Sequence, residues 1–423
     1  MFRGWRRMSK QTEKMLVPKL RFPEFWGAGG WEGKPLEEVT KYENGKAHEK
    51  DIDKTGDFIV VNSKFISTGG EVKKFTNTAF CIAEKEDILM VLSDVPNGRA
   101  IAKCFFVDAD NLYTVNQRIC KLTPNKVVSI LLFYSLNRNS YFLAFDDGVK
   151  QTNLRKDDVL NCPILLPKAP EEQQKIADCL SSIDELITAH RQKHETLKAH
   201  KKGLMQQLFP AEGEAVPKLR FPEFRDAGEW DVKTLDQLTS RIGDGIHSTP
   251  KYNANGNYYF INGNNLVDGK ISISGSTKRV NEVEAKNHSR DLSNRTILLS
   301  INGTIGNLAF YNSEKIILGK SAAYINLKNN IDLCFIYNTL KTFKTHSFFV
   351  SELTGSTIKN LSLKTIRETK ILIPTPSEQQ KIANCLSSID ELITAQAQKI
   401  ESLKAHKKGL MQQLFPSVDE VNG

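Results

Sequence analysis

Hydrophobic positions recur every three or four residues along 171–210, at Ile176, Leu180, Ile183, Ile187, Leu197, Leu204 and Leu208, with His190, His194 and Lys201 filling the same series. Steps of four and three alternate, a mean period of about 3.5, which is the seam of a coiled coil. The seam returns at 377–416 through Ile382, Leu386, Ile389, Ile393, Gln396, Ile400, Leu403, Lys407, Leu410 and Leu414. The stretches EEQQKIADCLSSIDELITAHRQKHETLKAHKKGLMQQLFP and SEQQKIANCLSSIDELITAQAQKIESLKAHKKGLMQQLFP differ at 6 of 40 positions. Pro170 and Pro376 precede them and Pro210 and Pro416 follow, as helix start and stop signals. Glu171 and Glu172 suit the first helix's positive end, and Lys198, Lys201 and Lys202 its negative end. Such a helix is a rod of roughly 57 Å. Each seam is the other's natural partner, the alternative being an amphipathic helix packed on a globular core. Antiparallel pairing sets middle against middle, with His190 near Gln396, a polar pair able to fix the register. His190 and His194 have metal-ligand spacing, but no carboxylate or cysteine completes a set and the second copy has Gln396 and Ile400 there. No metal site is expected.

A second repeated segment, VPKLRFPEF, occupies 17–25 and 216–224. Each half therefore reads tag, variable domain, long helix. The expected division is a basic tail at 1–16, a first domain at 17–170, a helix at 171–210, a linker and second domain at 211–376, a helix at 377–416 and a tail at 417–423. In the first domain strand-like runs fall at Phe58–Val61, Ile88–Leu92, Ile101–Val107 and Ile164–Leu166, with a helix expected over 127–145. The second follows the same order, with Tyr258–Asn262, Ile297–Ile301, Leu308–Tyr311, a helical segment near 331–353 and a strand at Ile371–Ile373. Two tandem mixed α/β (α+β) domains of similar order and dissimilar sequence are expected, joined to an antiparallel pair of helices.

Composition narrows the class. No run of 18 apolar residues exists to span a membrane. The basic N-terminus lacks a secretory apolar core, and Met8 competes with Met1 as the start. Seven cysteines without paired spacing suggest reduced thiols in a cytoplasm. The net charge of +9 is uneven: +5 over 1–25, zero over 26–170 and +6 over 225–376. A basic chain invites a nucleic-acid partner, although the neutral first domain would need a local patch.

Catalytic motifs are wanting. Gly319-Lys320-Ser321 resembles the end of a phosphate-binding loop, but Glu314 stands where that loop needs glycine. Glu71-Val72-Lys73 has the form of a nuclease triplet without a convincing aspartate partner. No dinucleotide fingerprint, nucleophile turn or base-gripping Asn/Asp-Pro-Pro-aromatic motif is present, so no catalytic residue is assigned. What remains are polar, basic and aromatic loops suited to base edges and phosphates. The first domain offers Asn62, Ser63, Lys64, Thr68, Lys73, Lys74, Asn97, Arg99, Lys150 and Gln151. The second offers His247, Ser248, Thr249, Lys251, Tyr252, Asn262, Asn264, Asn265, Lys278, Arg279, Asn302, Thr304 and Lys359. For each, a capped turn or solvated charge is the plainer alternative.

Doubled EQQKIA…LSSIDELITA…LKAHKKGLMQQLFP, the segment ILIPTPSEQQKIA, the loops IGDGIHSTPKY and INGTIGNLAFY, and the polar segments VKQTNL (149–154) and TIKNL (357–361) resemble the specificity (S) subunit of type I restriction–modification enzymes. The resemblance implies two target recognition domains, each reading one half of a bipartite DNA site. It implies that the coiled coil sets their spacing and docks two methylation subunits, through which restriction subunits join. Leu186, Leu392, Met205 and Met411 lie off the seam and are candidates for that docking, with extra seam packing the alternative. S-adenosylmethionine, ATP and Mg then belong to partner subunits, with none in this chain. Two other readings stay open: a coiled-coil interaction scaffold without DNA readout, and a self-contained nuclease or methyltransferase.

Overall fold

The structure, a computed structural model, describes residues 16–96, 98–355 and 359–416. Asn97, Thr357 and Ile358 and most of both expected tails lie outside the described residues. Contacts divide the chain into two units, Met1–Ala189 with Ile400–Gly423, and His190–Lys399.

In the first unit an antiparallel sheet orders Thr40–Asn44, Ile119–Pro124, Ile88–Val91 and Cys104–Phe106. Ile88–Val91 is buried on both faces, as a continuous apolar run should be. A second sheet orders Ile52–Asp53, Phe75–Thr76, Phe58–Val61, Tyr113–Val115 and Ile82–Ala83, with Phe58–Val61 parallel to Tyr113–Val115. Glu32–Pro35 pairs with Pro163–Leu166 at the base of the long helix.

The second unit repeats the plan. Its antiparallel sheet orders Thr239–Asp244, Ala322–Leu327, Thr296–Ser300 and Leu308–Phe310. Its other sheet orders Arg279–Val280, Tyr258–Ile261 and Ile316–Leu318, the last two parallel. Asp231–Thr234 pairs with Lys370–Ile373.

The expected helix over 127–145 is two, Ser129–Leu136 and Ser140–Leu143. Arg138 has a positive φ of 60° between them, and Asn139 caps the second through Tyr141 N–H at 2.9 Å. Asn137 meanwhile accepts from Cys104 N–H at 3.0 Å, so its side chain serves the sheet. The segment near 331–353 divides likewise into Leu333–Leu340 and Phe343–Ser351, the latter capped by Thr342. The strand expected at Ile101–Val107 shortens to Cys104–Phe106, because Ala102 turns the chain with a φ of 54°. All seven cysteines are free, and burial pushes the thiols of Cys81 and Cys120 up to about 11 and about 12.

The long helices span Pro170–Leu208 and Pro376–Leu414. In the second unit His190 Nδ1 lies 2.7 Å from Gln396 Oε1, and Lys201 Nζ lies 2.7 and 2.6 Å from the Asp390 oxygens. Numbers rise on one helix as they fall on the other, so the helices run antiparallel with the expected polar pair in contact. In the first unit Ile183 and Ile187 pack with Ile400, and Lys407 Nζ reaches Asp184 at 2.7 and 2.6 Å. Leu186 and Leu392 stay half exposed, whereas Met411 packs on the first unit's core and Met205 on the second's.

The repeated tag has a structural purpose. Arg21 donates from Nε and an Nη to the two Glu172 oxygens at 2.8 and 2.7 Å, and caps the carbonyls of Ala28 and Gly29. Arg220 makes the same fork to Glu378 at 2.8 and 2.8 Å, and caps Ala227 and Gly228. Gln173 and Gln379, the next residues of each EQQ, accept from Val128 and Asp332 N–H at 3.0 Å. Each long helix is thus bolted to its tag and to its domain by the same buried side chains.

Candidate nucleic-acid interface

The loops carrying the expected residues gather around one short turn in each unit. In the second unit it is Gly319-Lys320-Ser321, between the strands Ile316–Leu318 and Ala322–Leu327. Gly319 N–H donates to Ile261 O at 2.8 Å and Ile301 N–H to Ser321 O at 2.9 Å. Ile246 N–H donates to Leu318 O at 2.7 Å, bringing in the loop of His247, Ser248, Thr249 and Lys251. Ser321 Oγ joins Asn262 Oδ1 and Gly263 N–H at 3.0 and 2.9 Å, bringing in the loop of Asn264 and Asn265. Asn302 reaches Lys320 O at 3.4 Å and bridges to Asn360, so Thr304 and Lys359 join from the far side. Gly245 must be glycine here, since a Cβ would stand 2.2 Å from Leu318 O.

The first unit builds the same frame from other residues. Its turn is Asn116-Gln117-Arg118, with Asn116 N–H to Val61 O at 3.0 Å and Leu92 N–H to Arg118 O at 3.0 Å. Lys46 N–H donates to Val115 O at 2.9 Å, and a Cβ on Gly45 would stand 2.1 Å from Asn116 O. Val60 N–H donates to Lys74 O at 2.8 Å, as Phe260 N–H does to Lys278 O at 2.9 Å, so these two exposed lysines hold one structural position. Ser93–Asp94 pairs with Thr152–Asn153, and Gln151 reaches Ser93 Oγ at 2.8 Å, which sets the loop of Lys150 beside Ser93–Asp94; Ala100 N–H, next to Arg99, donates to Asp94 at 2.6 Å. Main-chain N–H groups of Lys150 and Val149 hold the Asp147 carboxyl below the usual carboxylate range and tie that loop down.

The candidates divide by what their side chains already do. Asn62 caps the helix Ser63–Ser67 through Phe65 N–H at 2.9 Å, and Thr68 bonds Lys64 O at 2.8 Å. Asn262 and Asn265 are likewise engaged, Asn265 accepting from Asn262 N–H and donating to Ser272 O, each at 3.0 Å. Arg279 lies 5.0 Å over the Tyr259 ring. Lys64, Lys73, Lys74, Arg99, Lys150 and Gln151 are exposed in the first unit, and Ser63 is partly so. His247, Ser248, Thr249, Lys251, Tyr252, Asn264, Lys278, Thr304 and Lys359 are exposed in the second, with His247 2.8 Å from Asp244. Tyr252, Asn262, Asn264, Asn265 and Lys278 line one open polar cleft of about 360 Å³, Lys278 standing 4.3 Å over the Tyr252 ring. Sequence reasoning passed over Gln117, Arg118 and Lys320. A turn between two strands carries no motif, and in the sequence Lys320 stands only in a defective phosphate loop.

The arrangement is a surface of cations, amides, hydroxyls and one exposed aromatic ring on rigid strand ends, suited to a polar, anionic ligand. Among the described residues no group of three His, Cys, Asp or Glu gathers to hold a metal, and no helix is long and apolar enough to cross a membrane.

The chain is similar to the MjaVIII specificity subunit of a type I restriction enzyme from Methanocaldococcus jannaschii, with 25% identity over 416 residues, 94% of this chain and 93% of that one. Its fold is similar to the crystal structure of the type I restriction–modification S subunit from M. genitalium, with TM-score 0.59, 18% identity and coverage of 95% and 100%. It is also similar in fold to a chain from a structural study of complex assembly and conformational transition in a type I restriction–modification system, with TM-score 0.52, 16% identity and coverage of 92% and 98%. The profile of the type I restriction modification DNA specificity domain matches twice, at residues 28–199 and 227–405. With two such domains spanning most of its length, the chain belongs to the type I restriction modification DNA specificity domain family.

Proposed function

We propose that each unit reads one half of a bipartite duplex target, so that this chain supplies the sequence specificity of a type I restriction–modification complex. One observation carries the reading: the same main-chain loop frame is built twice around different exposed side chains. That is what reading two unlike half-sites with one architecture requires. The exposed lysines, arginines and hydroxyls of the loops supply most of the phosphate contacts, and the exposed amides and the long side chains at the central turns supply base-edge contacts. Asn62, Thr68, Asn262 and Asn265 act through the loop frame.

On this reading the paired helices separate the two readers and dock two methylation subunits, with restriction subunits joining through these. The duplicated, half-exposed Leu186 and Leu392 support a helix face kept for such partners. This chain performs no bond chemistry. S-adenosylmethionine, ATP and Mg act on the partner subunits, and the complex works in the cytoplasm.

The test is methylome sequencing of a host expressing this chain with its methylation subunit. The expected result is a bipartite methylated motif, present with the chain and lost without it, of which one half alone changes when residues 225–376 are exchanged. Unchanged methylation on deletion, together with a purified complex that ignores duplex DNA at low salt, would leave the interaction scaffold as the better account.

A further inference from the structure

The turn at the centre of each loop cluster has the same main-chain frame in both units and differs at all three of its side chains. Asn116 matches Gly319, since each donates to the last residue of the parallel strand, Val61 or Ile261. Ile119 N–H closes the first turn on Asn116 O at 2.9 Å, and Ala322 N–H closes the second on Gly319 O at 3.0 Å. Arg118 matches Ser321, since each carbonyl accepts from the residue that opens the next loop, Leu92 or Ile301. These residues in turn accept from Leu154 and Leu361 N–H at 2.8 and 2.9 Å, so the last loop of each cluster hangs from the same turn.

The residue between the matched pairs is Gln117 in the first unit and Lys320 in the second, and both are exposed. Their backbones sit between two short strand ends, held on both sides. Lys320 Nζ has no partner among the described residues, and Gln117 makes one exposed bond, to Glu49 at 3.1 Å. The neighbouring loops carry most of the cluster's hydroxyls and other lysines, the groups that suit phosphates. At the centre the second turn carries Lys320 as its one long side chain, and the first carries Gln117 with the exposed Arg118 beside it; glutamine pairs bidentately with adenine, and lysine with guanine, in the major groove.

We propose that Gln117 and Lys320 are specificity-determining residues at one equivalent position, Gln117 reading an adenine in one half-site and Lys320 a guanine in the other. The proposal rests on the reading of the two units as half-site readers, and it names the residue that separates their targets.

The experiment uses the assembled complex of this chain with its methylation subunits. Methylomes are compared for the parent, Lys320→Gln, Lys320→Arg and Gln117→Lys. Lys320→Gln is expected to lower methylation of sites bearing one particular guanine by about tenfold or more, leaving the other half-site unchanged. Lys320→Arg, which keeps the guanine-reading fork, should retain that guanine. Gln117→Lys should alter an adenine in the other half alone. If Lys320→Gln weakens binding equally for all sequences and lowers the salt slope by about one, Lys320 contacts a phosphate and the proposal is overturned. An unchanged motif in both exchange variants also overturns it, while the bipartite reading stands. If the parent yields no bipartite motif, it is the underlying reading that fails.

Discussion

The tag–helix junction and the loop cluster are both built twice, but they repeat different things. At the junction frame and side chains agree: Arg21 and Arg220 fork onto Glu172 and Glu378, and Phe415 and Phe209 meet Trp31 and Trp230 edge-on. At the clusters only the main-chain frame agrees, and the side chains diverge. Assembly needs the same surface twice, whereas recognition needs one scaffold with two outcomes. On the proposed reading, the exposed side chains that diverge on a shared frame are those that face the ligand.

The largest test of that comparison is at the junction. Arg21 and Glu172 retain side-chain exposures of 5% and 1%, and Arg220 and Glu378 of 7% and 1%. Removing one partner strands a buried charge, at a cost of about 3–5 kcal/mol. Glu172→Ala and Glu378→Ala should each lower the urea midpoint of their own unit by similar amounts. Replacing both partners, as in Arg220→Met with Glu378→Met, should recover much of the loss, because no charge is left unpaired. Unequal losses would show that the two junctions are alike in drawing only.

A second test separates frame from side chain within the clusters. A Cβ at Gly45 or Gly245 would meet main-chain oxygen, which cannot rotate aside. Gly245→Val is expected to cost about 2–3 kcal/mol and to abolish reading of one half-site, with Gly45→Val doing the same to the other. By contrast Lys278→Ala, on an exposed side chain, should leave the urea midpoint unchanged and weaken duplex binding. A methylome and a urea melt on each variant decide the matter.

How far this division was legible beforehand follows from the range of the interactions. The helices and the His190–Gln396 contact were readable because a seam repeats along the chain and antiparallel pairing of repeats fixes its own midpoint. The tag was visible as a repeat but mute as to purpose, since Arg21 finds Glu172 only across the fold. The break at Asn137-Arg138 was hidden inside an apolar run, because Asn137 is drawn off by Cys104 from a distant strand. Gly319-Lys320-Ser321 matches no motif in full, and its meaning lies in the three loops that its backbone and hydroxyl collect. Of the expected contact residues, those with oxygen-bearing side chains just after a strand, Asn62 and Asn262, proved most occupied by the frame. The lysines were left outside.

A third, smaller test uses the paired ion bridges of the helices. Lys407 on Asp184 and Lys201 on Asp390 are repeat equivalents, but their surroundings differ. Tyr134 donates its hydroxyl to Asp184 at 2.8 Å, and Lys407 stands 4.5 Å over the Tyr134 ring. The matching helix position in the second unit is Asn338, too short for either contact. Both carboxylates are well exposed, so screening keeps each bridge near or below about 1 kcal/mol. Asp184→Asn should cost more than Asp390→Asn, and a Tyr134→Phe cycle should account for the excess.

The smallest expected effect is a shared pH dependence. The Glu24 carboxyl is held below the ordinary glutamate range by its own main-chain N–H at the start of a short helix, and next by Lys175 at 3.2 Å. Glu223 is lowered by the same pair of causes in the same order, with Lys381 at 3.0 Å. A carboxyl whose folded pKa lies below its unfolded one contributes fully above the unfolded value, about 4.3, and loses that contribution as the pH falls through the folded value. Glu24→Gln and Glu223→Gln should therefore each lower the urea midpoint slightly at pH 7, with the difference from the parent closing toward pH 3. The two pH profiles should superimpose, since the junction is the part of the molecule repeated in side chain as well as frame. A profile present in one variant and absent from the other would mean that the two halves have begun to diverge even where their residues still agree.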